Sequence, residues 1–373
     1  IDKSVVAGGN ALIKFKQSDM KKIFVILLSL SFVACTDNKI QQEAETLNFN
    51  IERNDSVSSD FVEFTDFLKL NEADHVSVNA ISKLLIHNDT IYVFDKFGQN
   101  TVVAFDMQGN YIRKYSRRGK SKSEYIRLFD FDVDDSYVYL YDRMQKKMLL
   151  YGHDGKFAKA IKTDFNGDGF VTLKGNRFLF SLGRDNGGEE LCLTDSVFKI
   201  QDVLLKYDKD NKADLLTGNL FQKCNDTIYY NRPLNDIVYK FTLDGENAGT
   251  YRLDFDGRNI PRERQHSYVK LTESGDESKY VYTEECPLFV NNKMIGQVYN
   301  RGKRGVIYYD LMKKDGGIND CEKNSRDVQD IMVPLHVSDI YIIGYINLTM
   351  LKFMKTTGGI PENMVEYMQD GNT

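Results

Sequence analysis

The sequence contains no tryptophan and is poor in proline, histidine and cysteine, with five residues of each. Scarce proline excludes a proline-rich linker or collagen-like chain, and scarce cysteine excludes a disulfide-dense scaffold. Neither sign of charge dominates, because 49 Lys and Arg face 54 Asp and Glu. The chain therefore lacks the strongly basic field expected of a nucleic-acid binder, and no nucleic-acid partner is predicted.

Aromatic residues are abundant instead, with 22 tyrosines and 23 phenylalanines, and hydrophobic residues make up 42% of the chain. Phenylalanine and tyrosine favour the pleated, half-buried surface of a sheet. Their runs are short and are separated by Asn, Asp and Gly at hairpin spacing, without long helical patterns. The composition therefore predicts an all-β fold.

The N-terminal region reads as an export signal that starts at Met20. Lys21 and Lys22 precede an apolar run at residues 23–32, which is far shorter than the about 20 residues of a membrane-spanning helix. Val33-Ala34-Cys35 resembles a lipobox, which implies cleavage before Cys35 and acylation of its sulfur. A plain secretory signal with an incidental cysteine is the alternative. We expect residues 1–19 to be a non-native or mistranslated extension, residues 20–34 the signal peptide, and residues 35–59 a flexible tether.

A repeat organises the rest of the chain, and it is clearest in three segments that begin at Asp89, Asp135 and Asp226. Their turn glycines Gly109 and Gly155 lie 46 residues apart, and Gly245 follows after 90, which is two periods of 45. A degenerate copy fills the gap at residues 177–195, and two more units begin near residues 293 and 335. Four-stranded units of this period predict a six-bladed β-propeller over residues 60–373.

The last blade is expected to lack a strand, because no apolar strand follows the short stretch 362–368. Propellers usually pair an N-terminal strand into the final blade, and residues 61–70 are the predicted closing strand. An edge left unpaired there would favour aggregation.

The signal, the acidic tether and blades of the form Asp-x-Ile-Tyr-Val-x-Asp with a Phe-Asp-x-x-Gly turn resemble the Bacteroides-type six-bladed β-propeller lipoproteins, relatives of NHL-repeat propellers. The resemblance covers about residues 20–370. Gly119, Glu124 and Tyr125 match a glycine-rich segment that follows the first complete blade in that family, although residues 121–123 differ. Membership implies a fold and an envelope location, but no reaction.

Two local motifs are candidate sites. Asp164, Asn166 and Asp168 match the first half of a calcium loop, but Gly175 stands where such a loop has a bidentate glutamate, which favours a polar turn. The second motif is a basic cluster, which is either a solvated loop or an anion-binding lip, and it comprises Arg117, Arg118, Lys120 and Lys122.

No catalytic constellation is recognisable, and no cofactor is predicted. The histidines have no metal-ligand spacing, and His153 lies in a Gly-His-Asp-Gly turn, where an exposed turn role is expected. We expect Cys192, Cys224, Cys286 and Cys321 to be buried thiols, with a disulfide as the alternative.

The sequence therefore favours a monomeric outer-membrane lipoprotein that is anchored in the bilayer through Cys35, on either face of that membrane. Its predicted role is a non-catalytic scaffold for a protein, peptide or glycan ligand. The alternative is a hydrolase or lyase that uses carboxylates at the propeller funnel on an envelope or dietary glycan or peptide.

Overall fold

The computed structural model describes residues 6–7, 10–16, 43–52, 61–71, 76, 78, 80–207, 218–265, 268–320, 332–338 and 340–347. Within these residues the regular structure is almost entirely β-strand, with one short α-helix, α1 (Tyr268–Glu273), and two 3-10 turns, Arg262–Arg264 and Glu277–Lys279. The strands in chain order are β1 Val6–Ala7, β2 Asn10–Lys16, β3 Glu45–Asn48, β4 Glu63–Leu70, β5 Lys83–His87, β6 Thr90–Asp95, β7 Thr101–Asp106, β8 Tyr111–Tyr115, β9 Leu128–Val133, β10 Val138–Asp142, β11 Lys147–Tyr151, β12 Phe157–Lys162, β13 Gly167–Leu173, β14 Arg177–Leu182, β15 Glu189–Thr194, β16 Ile200–Lys206, β17 Phe221–Cys224, β18 Thr227–Tyr230, β19 Ile237–Thr242, β20 Asn247–Asp254, β21 Val281–Tyr282, β22 Leu288–Val290, β23 Lys293–Asn300, β24 Lys303–Asp310, β25 Asp315–Asp320, β26 Val333–Ser338 and β27 Tyr341–Asn347.

Five sheets are blades, each built from strands that are consecutive in sequence and antiparallel to their neighbours. The middle strands are buried on both faces, as in β10, because each sheet stacks against two others. This arrangement confirms the all-β propeller prediction. The blades are blade 1 (β5–β8), blade 2 (β9–β12), blade 3 (β13–β16), blade 4 (β17–β20) and blade 5 (β21–β25, in which β21 and β22 both pair with β23).

The glycines that mark the sequence repeat lie in the turn between the third and fourth strands of a blade. Gly109, Gly155 and Gly245 there have φ angles of +80°, +82° and +80°. Residues with a Cβ rarely adopt this left-handed conformation, so glycine recurs at the repeat period. The degenerate copy in blade 3 places Phe198 at a φ of +62° in its corresponding turn.

The predicted count of six such blades is wrong, because the described residues form five. Among the described residues, the last unit supplies β26 and β27, and the other strands of its sheet come from the opposite end of the chain, in the order β1-β4-β2-β27-β26. We call this the composite sheet. Its strand β26 contacts both β5 and β22, so the composite sheet lies between blades 5 and 1.

The composite sheet uses the predicted closing strand in an unpredicted way. β4 joins the sheet, but β2 stands between β4 and β27 and pairs antiparallel with both. β2 therefore occupies the sheet position beside β27, and it lies within the segment expected to be a non-native extension. That this extension is non-native stays a prediction.

Residues 43–52, which lie within the predicted tether, are among the described residues. β3 pairs in parallel with β20 at the outer edge of blade 4, and Leu47, Phe49 and Ile51 are buried in the core. The physical reason is the alternation of these apolar side chains, which places all three on one face of an extended chain. Residues 43–52 are thus part of the fold.

The lipobox and Cys35 lie outside the described residues, as does Cys321. Within the part of the chain that the structure describes, no helix has the length and apolar character needed to cross a membrane.

Candidate functional site

The first strands of the blades surround the axis of the ring. β5 contacts β9, β9 contacts β13, β13 contacts β17, and β17 contacts both β22 and β26. Side chains that point inward from these strands therefore meet side chains from other blades. Several of them are charged, although the strands are otherwise apolar.

A chain of polar contacts links blades 1 to 4 around this axis. Lys83 Nζ lies 2.9 Å from Asp130 Oδ1 and donates to the Phe131 carbonyl at 2.7 Å. Asp130 Oδ2 accepts the Phe170 N–H at 2.9 Å, which ties β9 to β13. Thr172 extends the chain to two more charged residues. Its backbone N–H donates to Asp132 Oδ2, and its hydroxyl accepts from Lys223 Nζ. The inner strands are thus joined by charged hydrogen bonds, which are stronger than neutral ones.

His336 of β26 faces the same axis and is 9% exposed. Burial lowers its pKa from 6.5 to about 4, and the positive charges of Lys83 and Lys223 act in the same direction, while Asp132 opposes them. His336 is therefore neutral near pH 7. A neutral imidazole avoids adding a third positive charge beside the two lysines.

This shift predicts an acid-sensitive contribution to stability. Between about pH 6.5 and pH 4 the unfolded chain binds a proton at His336 that the folded chain refuses, so the free energy of unfolding falls as the pH falls, by about 3 kcal/mol. In His336→Gln this part of the pH dependence of the free energy of unfolding should be absent. Urea unfolding of both proteins across this pH range measures it, and identical slopes would contradict the assignment.

Asp168 is the centre of a second buried ionic cluster, where β13 begins. Its side chain is 2% exposed, and its two oxygens lie 2.8 Å from Arg143 Nη1 and 3.2 Å from Arg232 Nη2. Arg232 is also buried and donates to Ser181 Oγ at 2.8 Å. Asp168 therefore compensates two arginines from the turns of blades 2 and 4.

The side of the ring where the inner strands begin carries an aromatic and cationic surface, centred on the ring of Phe129. Arg143, Arg127 and Lys96 lie 5.4, 5.7 and 6.0 Å from its centroid. The surface also exposes large apolar side chains, with Phe97 at 59% and Met144 at 62%. We call the six residues Lys96, Phe97, Arg127, Phe129, Arg143 and Met144 the channel mouth.

The mouth also contains titratable groups with displaced pKa values. Burial lowers the pKa of Lys96, although the charges of Asp130 and Asp168 oppose this. Burial raises the pKa of Glu285 to about 7, Glu284 adds to the rise, and Arg304 and Lys96 oppose it. Such a combination of acid and amine is found at many functional sites, but structural ion networks produce it too.

The sequence-predicted basic cluster lies beside the mouth, in the loop between β8 and β9. Arg117, Arg118, Lys120 and Lys122 are exposed there. Arg118 donates to the carbonyl of Gln99, which lies in the same turn as Phe97. Gln145, next to Met144, donates to the Gly119 carbonyl at 3.2 Å. The structure therefore brings this cluster next to the mouth.

Gly119 and Glu124 fix the shape of this basic loop. Gly119 has a φ of +154°, which residues with a Cβ rarely adopt, and a Cβ there would also displace the Glu124 carboxylate. Glu124 accepts the Ser121 N–H, and Tyr125 reaches from the end of the loop to donate to the Asn100 carbonyl at 2.9 Å. The loop is thus ordered by the residues that match the family segment.

The calcium-loop residues are engaged in other contacts. Asp168 is held by its two arginines, Asn166 donates to Asp185, and Asp164 is exposed. No group of three His, Cys, Asp or Glu suited to a metal is found among the described residues.

Three of the cysteines expected to be buried thiols, Cys192, Cys224 and Cys286, are free and buried. Burial raises the pKa of the Cys224 thiol to about 12, which leaves it protonated and unreactive at neutral pH. His153 departs from its expected exposed turn role, because it is partly buried between blades 1 and 2.

The fold and site together define a β-propeller with a charged axis and a basic, aromatic mouth. The chain belongs to the family described as Domain of unknown function (DUF4934), whose profile matches residues 45–365. No curated protein matches the chain.

Solved structures similar to this chain include a Bacteroides fragilis protein that is inferred to be exported. It is 17% identical, with a TM-score of 0.70 over 88% of this chain and 96% of its own, which shows a shared fold. Two others are a member of the DUF4221 family from Bacteroides vulgatus and a virginiamycin B lyase from Staphylococcus aureus. The first is 9% identical with a TM-score of 0.44, covering 72% of this chain and 94% of its own. The second is 9% identical with a TM-score of 0.43, covering 76% and 84%.

Proposed function

We propose that this protein is an exported lipoprotein, held in the outer membrane through Cys35, whose channel mouth binds an acidic polymer without chemically changing it. The observation that carries the binding role is the Phe129 ring with three cations within 6.0 Å, beside the exposed Phe97 and Met144. Of these groups, Phe97, Met144 and Arg127 are exposed, and exposed aromatic and basic groups in one place favour a ligand with negative charge and an apolar or sugar-ring surface.

The neighbouring basic loop supports the same chemistry. Its four exposed cations extend the positive surface outward from the mouth, although the whole chain has a formal charge of −5. A local positive surface on an acidic protein attracts an anionic ligand to one place, and binding of this kind weakens as salt rises.

The binding site is tested with residues 35–373 and two acidic polymers, polyglutamate and polygalacturonate, with neutral dextran as the comparison. We expect Phe97→Ala with Arg127→Gln to weaken binding of at least one acidic polymer by about tenfold or more, because a cation and an aromatic contact are both lost. The matched controls Ile200→Ala and Arg252→Gln remove an exposed apolar residue and an exposed arginine elsewhere, and should leave the affinity unchanged. An equal loss of affinity in the test variant and in the control variant would contradict the proposal. So would dextran that binds as tightly as the acidic polymers.

The alternative, a hydrolase or lyase, is favoured by one observation, the raised pKa of Glu285 near Lys96. A carboxyl that titrates near pH 7 can donate or accept a proton in catalysis. Turnover of chromogenic glycosides or esters that disappears in Glu285→Gln would support an enzyme and overturn the scaffold role.

The membrane anchor is tested separately, with the full chain in a Gram-negative host. Replacing Cys35 by alanine removes the sulfur that would carry the lipid, so the protein should move from the outer-membrane fraction to the soluble envelope fraction. Membrane fractionation and metabolic labelling with a fatty acid measure this. Unchanged retention of Cys35→Ala in the membrane would exclude anchoring at Cys35.

A further inference from the structure

A second cavity opens between blades 1 and 2, on the side of the ring away from the channel mouth, where β5 ends and β6 begins. Its volume is about 230 Å³. At about 30 Å³ per water molecule, it has room for roughly eight waters, the size of a small organic molecule. We call it the blade 1–2 pocket.

The lining of this pocket includes both polar and apolar side chains. Arg113, Asn88 and Thr90 supply a guanidinium, an amide and a hydroxyl. Tyr92 and Ile112 supply a ring and an aliphatic side chain, and Ile112 is 37% exposed. A lining of hydrogen-bond donors and apolar groups suits a molecule with one polar or charged end.

One histidine lines the pocket, and a second histidine stacks on it. The ring of His153, which lines the cavity, stacks on that of His87 at 5.7 Å between centroids. His153 Nδ1 lies 3.0 Å from Tyr92 Oη, while its Nε2 is buried and has no hydrogen-bond partner among the described residues. When Tyr92 donates to Nδ1, a neutral His153 carries its proton on Nε2, which adds another donor. A buried donor without a partner is costly, and a bound acceptor would recover that cost.

Two carboxylates near the pocket already have polar or ionic partners. Asp135 lies 3.2 Å from His87 Nε2, and Asp154 lies 2.8 Å from Lys156 Nζ. Arg113 has no ion pair within 4.0 Å among the described residues, although its charge contributes to the lowered pKa of Asp154, so a ligand carboxylate would share Arg113 with that group.

We propose that the blade 1–2 pocket binds a small molecule with a carboxylate group. The carboxylate pairs with the Arg113 guanidinium and accepts from His153 Nε2–H, and the body of the ligand packs on Tyr92 and Ile112. Charged hydrogen bonds of this type are the strong ones in proteins, and arginine matches the planar carboxylate group. This site is separate from the channel mouth, so its test does not depend on the proposed function.

The test uses the full chain and the ring signals of its five histidines in long-range ¹H–¹⁵N NMR spectra. Glucuronate is the ligand, and glucose is its neutral counterpart. We expect glucuronate to shift the His153 and His87 signals in a saturable way while the signal of His336 on the axis stays in place. Glucose should have no effect.

Two variants complete the experiment. Arg113→Gln should weaken glucuronate binding by about tenfold or more, the usual result of removing one charged hydrogen-bond partner. Arg177→Gln, which removes an arginine from blade 3, is the matched control and should bind normally. An equal response to glucose would overturn the carboxylate preference. No saturable shift with glucuronate, succinate or acetate would overturn the site.

Discussion

Replacing Asp168 by alanine should lower the free energy of unfolding by about 3–5 kcal/mol, the largest effect we expect from a single substitution in this protein. The Asp168 side chain is 2% exposed and Arg232 is 4% exposed, so the arginine would lose its counter-ion where water cannot replace it. Arg143 would lose its closest ion pair as well. Chemical denaturation of the two proteins measures the difference.

Two comparisons separate a lost charge pair from general damage. Asp185→Ala removes a carboxylate that is 54% exposed and lies 3.6 Å from the same Arg143, so it should cost less than about 1 kcal/mol. Combining Asp168→Leu with Arg232→Met removes both charges and should recover part of the loss, because apolar pairs often replace buried ion pairs without penalty. A double variant less stable than Asp168→Ala would show that packing, rather than charge, explains the effect.

The blades could be predicted from the sequence because their signals are local. Gly109, Gly155 and Gly245 each mark a turn that needs a positive φ, and the strands around them carry β-branched and aromatic residues. Each signal is weak, but the repeat presents it several times along the chain. The composite sheet could not be predicted in this way, because Asn10–Lys16 pairs with Tyr341–Asn347 across almost the whole chain and no local pattern specifies that pairing.

The basic cluster was found from the sequence because its charges are adjacent, but the groups along the axis are spread over the blades. Lys83 meets Asp130 from 47 positions away, and Asp168 meets Arg232 from 64. One signal was present, since charged residues such as Lys83, Asp130 and Lys223 interrupt otherwise apolar first strands. A propeller places those positions on its axis, so the period and the charges together point to the network.

The second large effect concerns β2, which lies N-terminal to the predicted export signal. Cleavage before Cys35 would remove it, and β4 and β27 do not pair with each other in its place. In residues 35–373, the backbone groups of β27 that face β2 would lose partners along seven paired positions. Edges of this kind exchange their amide hydrogens readily and promote aggregation.

We therefore expect amide exchange in Tyr341–Asn347 and Glu63–Leu70 to be at least about tenfold faster in residues 35–373 than in the full chain, a local loss of about 1.4 kcal/mol or more. The middle strand Val138–Asp142 of blade 2 has the same partners in both proteins and serves as the internal control. Adding a synthetic peptide of residues 1–19 should restore protection in β4 and β27, because the slot that β2 fills would again be occupied. Equal exchange with and without residues 1–34 would show that β2 contributes nothing to the fold, and it would support the sequence-based expectation that residues 1–19 are a non-native extension.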